Sequence, residues 1–303
     1  MAHLTKLGND DITRICEQFG IGSVISYSSM DGGAANTSYL IKTDTERFVL
    51  SVCDEKTISD IDVLTRLLNI LKISNFPTTQ LCRMKTGRYF MLHQDKPVIL
   101  KRYIEGMVPD RLEQAMCLDF GAAIGKLHEV APMPDIPKSF PYGMEFFSEL
   151  FGVQDPFVVW LRSQYEKFKE KIAKDLPRGL IHGDIFSDNL VIANNKLVAI
   201  LDFEEACNYY YVFDIGMAIV GCCVHGEEVD WDAARILIEG YETVRKLSQT
   251  ETQQIPLMAE YAATATAFWR YRQYNKRNPS IEKKNIHEQM VHIAQQIAKH
   301  TLS

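Results

Sequence analysis

Several features are missing from this sequence, and their absence narrows the classes of protein to consider. The 303 residues contain no run of 18 or more apolar residues, and the most apolar region, residues 212–224, is interrupted by Asp214. No membrane-spanning helix is therefore expected. The chain also lacks the charged start and apolar core of a secretory signal, so we expect a cytoplasmic protein. Internal repeats and low-complexity segments are absent as well.

Paired cysteines and an excess of basic residues are also lacking. The seven cysteines are scattered and form no Cys-x-x-Cys pair, which favours reduced thiols over a disulfide framework or a zinc site. The net charge of −6 and the pI of about 5.8 argue against a nucleic-acid partner. Hydrophobic and charged residues make up 46% and 24% of the chain, as in an ordinary globular protein. The sequence leaves the oligomeric state open.

The most informative motif begins at residue 182 and ends at residue 202. Asp184 follows His182-Gly183, Asn189 comes five positions later, and Asp202 ends an apolar run thirteen positions after that. Phosphoryl-transfer enzymes of the kinase type use one Asp to accept or orient the proton of the substrate hydroxyl. They use an Asn and a second Asp to hold Mg²⁺. Asp184, Asn189 and Asp202 are therefore predicted to be the catalytic base and the two metal ligands.

The chemistry explains why these residue types are needed. A carboxylate within hydrogen-bond reach of a hydroxyl can draw off its proton, and Mg²⁺ prefers hard oxygen ligands of the kind that Asn and Asp supply. Residues 196–201 are expected to form a buried strand that pairs with Val191-Ile192 through a turn at Asn194-Asn195. His182 is expected to hold the loop by hydrogen bonds. A lone His-Gly-Asp is common turn chemistry, but the complete spaced motif is much harder to obtain by chance.

The N-terminal third predicts a small sheet with a helix. Strand-like segments at residues 24–29, 38–43 and 48–53 are followed by a helical stripe at 57–72. Two more strand candidates flank residues 85–88, and another covers 98–104.

The small-residue loop at 31–36 either binds phosphates through its backbone or is a plain hairpin turn. We therefore name Gly32, Gly33 and Asn36 as nucleotide-binding candidates. The backbone of Arg102, Tyr103 and Ile104 is predicted to face the adenine edge.

The rest of the chain is chiefly helical, with helices expected at residues 111–128, 156–174, 230–244, 248–275 and 281–299. We therefore predict an α+β protein with two lobes. Residues 1–104 would form an antiparallel nucleotide-binding lobe, and residues 105–303 a mainly helical catalytic and substrate-binding lobe.

In these motifs the chain resembles the aminoglycoside phosphotransferase and choline kinase superfamily, which has a protein-kinase-like fold. Within that superfamily it is most similar to the kinase-like bacterial homoserine kinases. The resemblance is carried by segments 33–39, 103–106 and 124–128, together with the motif at 182–202 and Phe213-Asp214-Ile215. It implies ATP and Mg²⁺, a catalytic Asp184, metal ligands Asn189 and Asp202, and an Asp214 that stabilises the catalytic loop.

The chain departs from the family pattern at three places. Ser51 stands where kinases of this fold usually have a strand lysine that neutralises the phosphates, and Lys42, Lys56 and Lys101 are the candidate replacements. Glu204-Glu205 and Ala267 also differ from the homoserine-kinase pattern.

The expected function is phosphorylation of the hydroxyl of a small amino-acid-like alcohol, with homoserine as the first candidate. An amino acid needs a cation for its carboxylate and an anion for its ammonium group. Arg270 or Arg272 can supply the first, and Asp188, Glu204 or Glu205 the second. The two arginines can equally be surface residues stacked on the aromatics around them.

Two other functions remain open. One is a choline, ethanolamine or aminoglycoside kinase, because Glu204 and Glu205 suit a cationic substrate. The other is a nucleotide-binding pseudokinase. Ser51 favours this second function, whereas the intact Asp184, Asn189 and Asp202 oppose it.

Overall fold

The structure, a computed structural model, describes residues 5–30, 36–109, 112–131 and 133–300. The chain divides into two compact units. The first comprises Met1–Gly106 with Val198–Leu201, and the second comprises Met107–Leu197 with Asp202–Ser303. Within the described residues, none of the helices combines the length and the apolar character needed to cross a membrane.

The described part of the first unit consists of an antiparallel five-stranded sheet and two helices, and the strand order is β1-β2-β3-β5-β4. In chain order the elements are α1 (Asn9–Phe19), β1 (Val24–Met30), β2 (Thr37–Thr43), β3 (Arg47–Val52), α2 (Ile58–Ile73), β4 (Phe90–His93) and β5 (Lys96–Arg102).

Local sequence explains where the two helices begin and end. α1 ends at Gly20, whose φ of 67° is the left-handed conformation that glycine adopts most easily. α2 starts with a capping box, in which Thr57 and Asp60 each bond the backbone of the other. The apolar stripe of α1 packs on one face of the sheet, so that this face is buried in the core of the unit.

The opposite face of the sheet follows from strand alternation. Ile41 belongs to the core, so its neighbours Leu40 and Lys42 point to the other side of β2. Ser38 lies directly opposite Ser51 across the β2–β3 pair, and their hydroxyl oxygens are 3.0 Å apart. Ser51 therefore projects from the same face as Leu40 and Lys42.

The second unit is mainly helical. α3 packs on α6, and α7 packs on both α5 and α8. Its elements are α3 (Gln114–His128), α4 (Pro156–Lys171), β6 (Arg178–Ile181), β7 (Leu190–Ala193), β8 (Lys196–Ile200, which runs into the 198–201 segment of the first unit), β9 (Cys207–Tyr210), α5 (Tyr211–Cys222), β10 (Val224–His225), β11 (Glu228–Val229), α6 (Trp231–Glu242), α7 (Gln249–Tyr271) and α8 (His287–His300).

Short irregular helices complete the second unit. 3₁₀ turns cover Met144–Leu150, Ser187–Asn189 and Phe203–Glu205, and a π-helix at Arg272–Arg277 follows α7 directly. Three of these segments, all except Met144–Leu150, carry residues predicted for the site.

The hairpin predicted between the motif residues is confirmed. β7 and β8 form a two-stranded sheet, and the turn residues Asn194 and Asn195 have φ values of 52° and 58°. Two successive positive φ angles characterise the type I′ turn that asparagine favours. Asn189 immediately precedes this hairpin and Asp202 follows it, so both residues are held at the same end of the strand pair.

Other elements differ from the predictions. α5 was not predicted. The helix expected from residue 281 begins at His287, and the one expected to reach 275 changes to a π-helix after Tyr271. Before residue 85, the expected strand is reduced to an isolated bridge at Leu81.

Candidate active site

The loop after β6 is fixed by a buried carboxylate. Asp214, on α5, has no exposed surface, and its two oxygens accept hydrogen bonds from the backbone N–H groups of His182 at 2.7 Å and Gly183 at 2.8 Å. Its Oδ2 also lies 3.3 Å from Nε2 of His128, a buried residue whose Nδ1 is 2.8 Å from the hydroxyl of Tyr241. These bonds hold the backbone immediately before Asp184.

Gly183 adopts a conformation that other residues would not tolerate. Its φ is 83°, and an added Cβ would lie 2.8 Å from the carbonyl oxygen of Glu205. Glycine at this position therefore lets the 182–184 loop approach the 203–205 turn closely.

Asp184 is half-buried and accepts a hydrogen bond from a residue that sequence analysis did not identify. The Tyr142 hydroxyl lies 2.8 Å from Asp184 Oδ1 and 2.7 Å from the carbonyl oxygen of Gly183, so its one hydrogen is shared between two acceptors. Burial raises the pKa of Asp184 to about 7, and the nearby carboxylates of Asp202, Glu205 and Asp188 raise it too, against the lowering by Tyr142. A carboxyl with a pKa near 7 can act as a base at neutral pH.

His182 has the contacts of a residue that holds the loop. The side chain is fully buried, Nδ1 accepts the Asp184 N–H at 3.2 Å, and the ring packs 4.5 Å from that of Phe203.

Asn189 and Asp202 have the oxygen chemistry that a magnesium ion requires. The Asn189 amide nitrogen donates to the carbonyl oxygen of Asp184 at 2.9 Å, which leaves the amide oxygen for a ligand. Asp202 is exposed, its carboxylate has no hydrogen-bond partner among the described residues, and it is close enough to Asp184 to raise the pKa of that residue. It sits in the left-handed region with φ 61° and ψ 63°, a strained conformation that is common at functional sites.

The described residues contain no group of three or more His, Cys, Asp or Glu side chains placed to hold a metal by themselves. Such a group is not needed for Mg²⁺, which is usually held by one or two carboxylates together with substrate phosphates. Asn189 and Asp202 therefore fit the ion predicted from the sequence.

Among the nucleotide-binding candidates, Gly32 and Gly33 lie outside the described residues. Asn36 is half-buried and immediately precedes β2. A cavity of about 510 Å³ lies on the first unit, and its lining includes Leu40 and Lys42 on the sheet face opposite α1. Lys101 lies opposite Val49, two residues from Ser51, and therefore projects from the same face. Lys42 and Lys101 thus share the face of Ser51.

Two of the three residues whose backbone is predicted to meet the adenine edge already have acceptors for their N–H groups. The N–H of Arg102 donates to the carbonyl oxygen of Gln80 at 2.8 Å, and that of Tyr103 donates to Arg47 at 3.0 Å. Both N–H groups therefore already have acceptors within the first unit. The Ile104 N–H takes part in neither of these two bonds.

Two of the three acidic substrate candidates lie near Asp184. Asp188 is exposed and Glu204 and Glu205 are half-buried. Asp188 and Glu205 both raise the pKa of Asp184 through their charges, which places their carboxylates within electrostatic range of it.

The two arginine candidates have different hydrogen-bond partners. Arg270 donates through Nη1 to the carbonyl oxygen of Ile286 at 3.1 Å and to Gln289 at 2.9 Å. Arg272 donates to the carboxylate of Glu149 at 3.2 Å.

Sequence reasoning missed Tyr142 and Glu149. Tyr142 stands 42 residues before Asp184, and Glu149 stands 123 residues before Arg272. The sequence carried no motif for either contact.

Comparison with known proteins identifies the family. The model of the phosphotransferase enzyme family (APH) matches residues 26–281. The homoserine kinase of Rhodospirillum rubrum is 28% identical over 273 residues, which cover 87% of this chain and 85% of that protein. The homoserine kinase of Phenylobacterium zucineum is 26% identical over 280 residues, covering 87% of this chain and 84% of that protein.

Solved structures confirm the predicted fold. A microcompartment-associated aminopropanol kinase superposes with a TM-score of 0.74 at 17% identity, covering 96% of this chain and 97% of that one. A spectinomycin phosphotransferase in complex with ADP and spectinomycin gives 0.72 at 14% identity, covering 97% of this chain and all (100%) of the other. Because the family model spans most of the sequence, this chain belongs to the APH phosphotransferase enzyme family and is a small-molecule kinase with a protein-kinase-like α+β fold.

Proposed function

We propose that this protein is an ATP- and Mg²⁺-dependent kinase that phosphorylates the hydroxyl of an amino-acid-like alcohol, with homoserine as the first candidate. The observation that carries the proposal is the position of Asp184. Its pKa is raised to about 7, and its loop is held by Asp214. Its carbonyl oxygen accepts a hydrogen bond from Asn189, and its carboxylate lies within electrostatic range of Asp202.

Asp184 accepts the proton of the substrate hydroxyl as the oxygen forms its bond to the terminal phosphorus of ATP. Tyr142 donates to the carboxylate and fixes its orientation toward the acceptor. Asn189 and Asp202 would hold Mg²⁺, which supplies charge neutralisation on the phosphates when bound. ADP is the leaving group.

In this proposal the nucleotide binds to the N-terminal lobe. We propose that residues 1–104 bind ATP through Gly32, Gly33 and Asn36 and through the backbone at Arg102, Tyr103 and Ile104. Residues 105–303 bind the acceptor, with His182 and Asp214 supporting the catalytic loop. The completed Arg102 and Tyr103 N–H bonds favour Ile104 as the backbone donor.

Two observations support an amino-acid acceptor. The similar proteins of Rhodospirillum rubrum and Phenylobacterium zucineum are homoserine kinases. The second unit also combines a buried arginine, Arg272, with the acidic candidates Asp188, Glu204 and Glu205 for an ammonium group.

The test is an ADP-release assay with ATP and Mg²⁺ and a panel of homoserine, hydroxylysine, choline, ethanolamine and an aminoglycoside. We expect turnover of homoserine, with a phosphate ester detected by ³¹P NMR. Turnover of choline without turnover of homoserine would contradict the proposed substrate and leave the kinase chemistry standing.

The acidic residues near Asp184 also favour a second candidate function. Asp188 and Glu205 make the surroundings of Asp184 negative, which suits a cationic acceptor such as an amino alcohol or an aminoglycoside. The same panel separates this function from the first. A nucleotide-binding pseudokinase, which Ser51 favours, would bind ATP in a thermal-shift assay without any dependence on Mg²⁺.

A further inference from the structure

Arg272 is a buried cation with an incomplete set of partners. Its side chain is 6% exposed, and its guanidinium lies 4.8 Å from the centre of the Phe268 ring. Among the described residues, its one hydrogen-bond acceptor is Glu149 Oε2, at 3.2 Å. A guanidinium carries five N–H donors in a fixed fork, so this single bond uses a small part of its capacity.

Glu149 differs from Arg272 in being close to solvent. Its side chain is 42% exposed, and it lies on the 3₁₀ turn Met144–Leu150. A carboxylate that already contacts water loses little when it moves away from its partner. The pair is therefore a buried cation held by a replaceable anion.

Arg270 does not share these properties. Residues two apart on a helix point to different sides, and Arg270 is bonded to Ile286 and Gln289, which lie just before and within α8. Its contacts are those of a residue that fastens this segment to α7.

Two observations relate the position of Arg272 to that of Asp184. Glu205 affects the pKa of both residues through its charge, so it lies within electrostatic range of each. The chain also passes from Tyr142, which bonds Asp184, to Glu149, which bonds Arg272, within seven residues. At about 2.0 Å per residue in a 3₁₀ turn, seven residues span about 14 Å.

We propose that Arg272 binds the carboxylate of the acceptor, and that Glu149 is an internal counter-ion which occupies Arg272 until the substrate carboxylate replaces it. The inference rests on the proposed function, since it needs an alcohol phosphorylated at Asp184. It adds the residue that makes the site select an amino acid over the corresponding amino alcohol.

The exchange is physically reasonable because it keeps the number of buried charges balanced. Arg272 is neutralised by Glu149 before binding and by the substrate afterwards, while Glu149 turns to solvent. A planar guanidinium can hold an incoming carboxylate through two parallel N–H bonds, which are stronger than the single bond it gives up.

The test compares homoserine with 3-aminopropan-1-ol, which lacks the carboxylate and keeps the hydroxyl and the amine. Wild type should prefer homoserine in kcat/KM. Arg272→Gln should raise the KM for homoserine at least about 30-fold, because a charge-assisted bond is lost. The same variant should change the KM for 3-aminopropan-1-ol less than about threefold. The ratio of the two kcat/KM values should therefore collapse.

Two further variants keep the proposal open to refutation. Glu149→Gln removes the competing charge and should lower the KM for homoserine about 3- to 10-fold, with no change for 3-aminopropan-1-ol. Arg270→Gln is the matched control and should leave the ratio of the two substrates unchanged.

The inference is wrong if Arg272→Gln weakens both alcohols equally, because the arginine would then be a structural residue. If Arg272→Gln does not fold, the Glu149→Gln variant provides the test. An unchanged KM for homoserine in Glu149→Gln overturns the proposal. Failure of wild type to phosphorylate either alcohol would instead reject the proposed acceptor class. That result is visible before any variant is made.

Discussion

At the scale of single residues, the protein places a carboxyl group where opposing influences set its pKa. Burial raises the pKa of Asp184 to about 7, and three neighbouring carboxylates act in the same direction. The hydrogen bond from Tyr142 opposes them by stabilising the charged form. A base with a pKa near neutral combines a sizeable ionised fraction with a strong tendency to take a proton.

The raised pKa predicts an acid limb in the pH profile. Only the ionised form of Asp184 accepts a proton, so kcat/KM should fall about tenfold per pH unit as the pH drops below about 7. The profile is measured from pH 5 to 9 with ATP, Mg²⁺ and the best acceptor. A kcat/KM that stays level down to pH 5 would contradict the assignment of a base with a raised pKa.

Tyr142→Phe should move that acid limb to higher pH. The substitution removes the hydroxyl that lowers the pKa of Asp184 and leaves the ring in place. We expect a shift of about half a unit to one unit, with a smaller loss at pH 9 than at pH 7. Tyr165→Phe, on α4, is the control and should leave the profile unchanged. A uniform loss at every pH would mean that Tyr142 acts only through packing.

At the scale of elements, α5 connects the helical core to the catalytic loop. Both carboxylate oxygens of Asp214 accept hydrogen bonds from the backbone N–H groups of His182 and Gly183, and Oδ2 also contacts His128 on α3. Burial holds the pKa of His128 below its usual value, although Asp214 acts in the other direction.

Asp214→Asn should weaken both the fold and catalysis. An amide offers one acceptor oxygen where the loop needs two, so a buried N–H group loses its partner. The expected cost is about 3 kcal/mol of unfolding free energy, measured by denaturant titration, with a fall in kcat larger than the change in KM. Asp232→Asn, whose side chain is 82% exposed on α6, is the control and should change neither quantity. Full stability in Asp214→Asn would show that the loop does not depend on this carboxylate.

Gly183→Ala should distort the catalytic loop. A φ of 83° is unfavourable for alanine, and its Cβ would press against the Glu205 carbonyl oxygen at 2.8 Å. We expect a loss of roughly 1–3 kcal/mol in stability and a drop in kcat of at least about tenfold. Gly152→Ala is the matched control, because nothing lies within 4 Å of its added Cβ. Equal behaviour of the two variants would argue against a strained loop.

Elements with local signals were predictable from the sequence, and the others were not. The β7–β8 hairpin was predicted because Asn194-Asn195 supplies the turn chemistry directly. α5 was missed because its side chains are buried on nearly all sides, so no apolar stripe of helical period exists. The end of α7 was placed too late because the change to a π-helix at Arg272 leaves no mark in the sequence.

The same distinction holds for the candidate site. Asp184, Asn189 and Asp202 lie within 19 residues of one another, so their spacing is visible in the sequence. Tyr142, and the pairing of Glu149 with Arg272, arise from tertiary packing between distant segments. Sequence alone could not choose between Arg270 and Arg272, since the choice depends on which side of the helix each one faces.

At the scale of the whole molecule, the predicted base and both metal ligands belong to the second compact unit. The family match begins in β1 of the first unit and ends at residue 281 of the second. Because proteins named for different substrates share this kinase-like fold, the acceptor must be argued from individual side chains and not from the fold.

The central claim is that Asp184 acts in phosphoryl transfer and not in binding of the nucleotide. The most direct measurement pairs isothermal titration of ATP, with and without Mg²⁺, with turnover of the Asp184→Asn variant. We predict Mg²⁺-dependent ATP binding within about threefold of wild type and a kcat reduced about 10²- to 10⁴-fold. A variant that retains wild-type turnover would contradict the account.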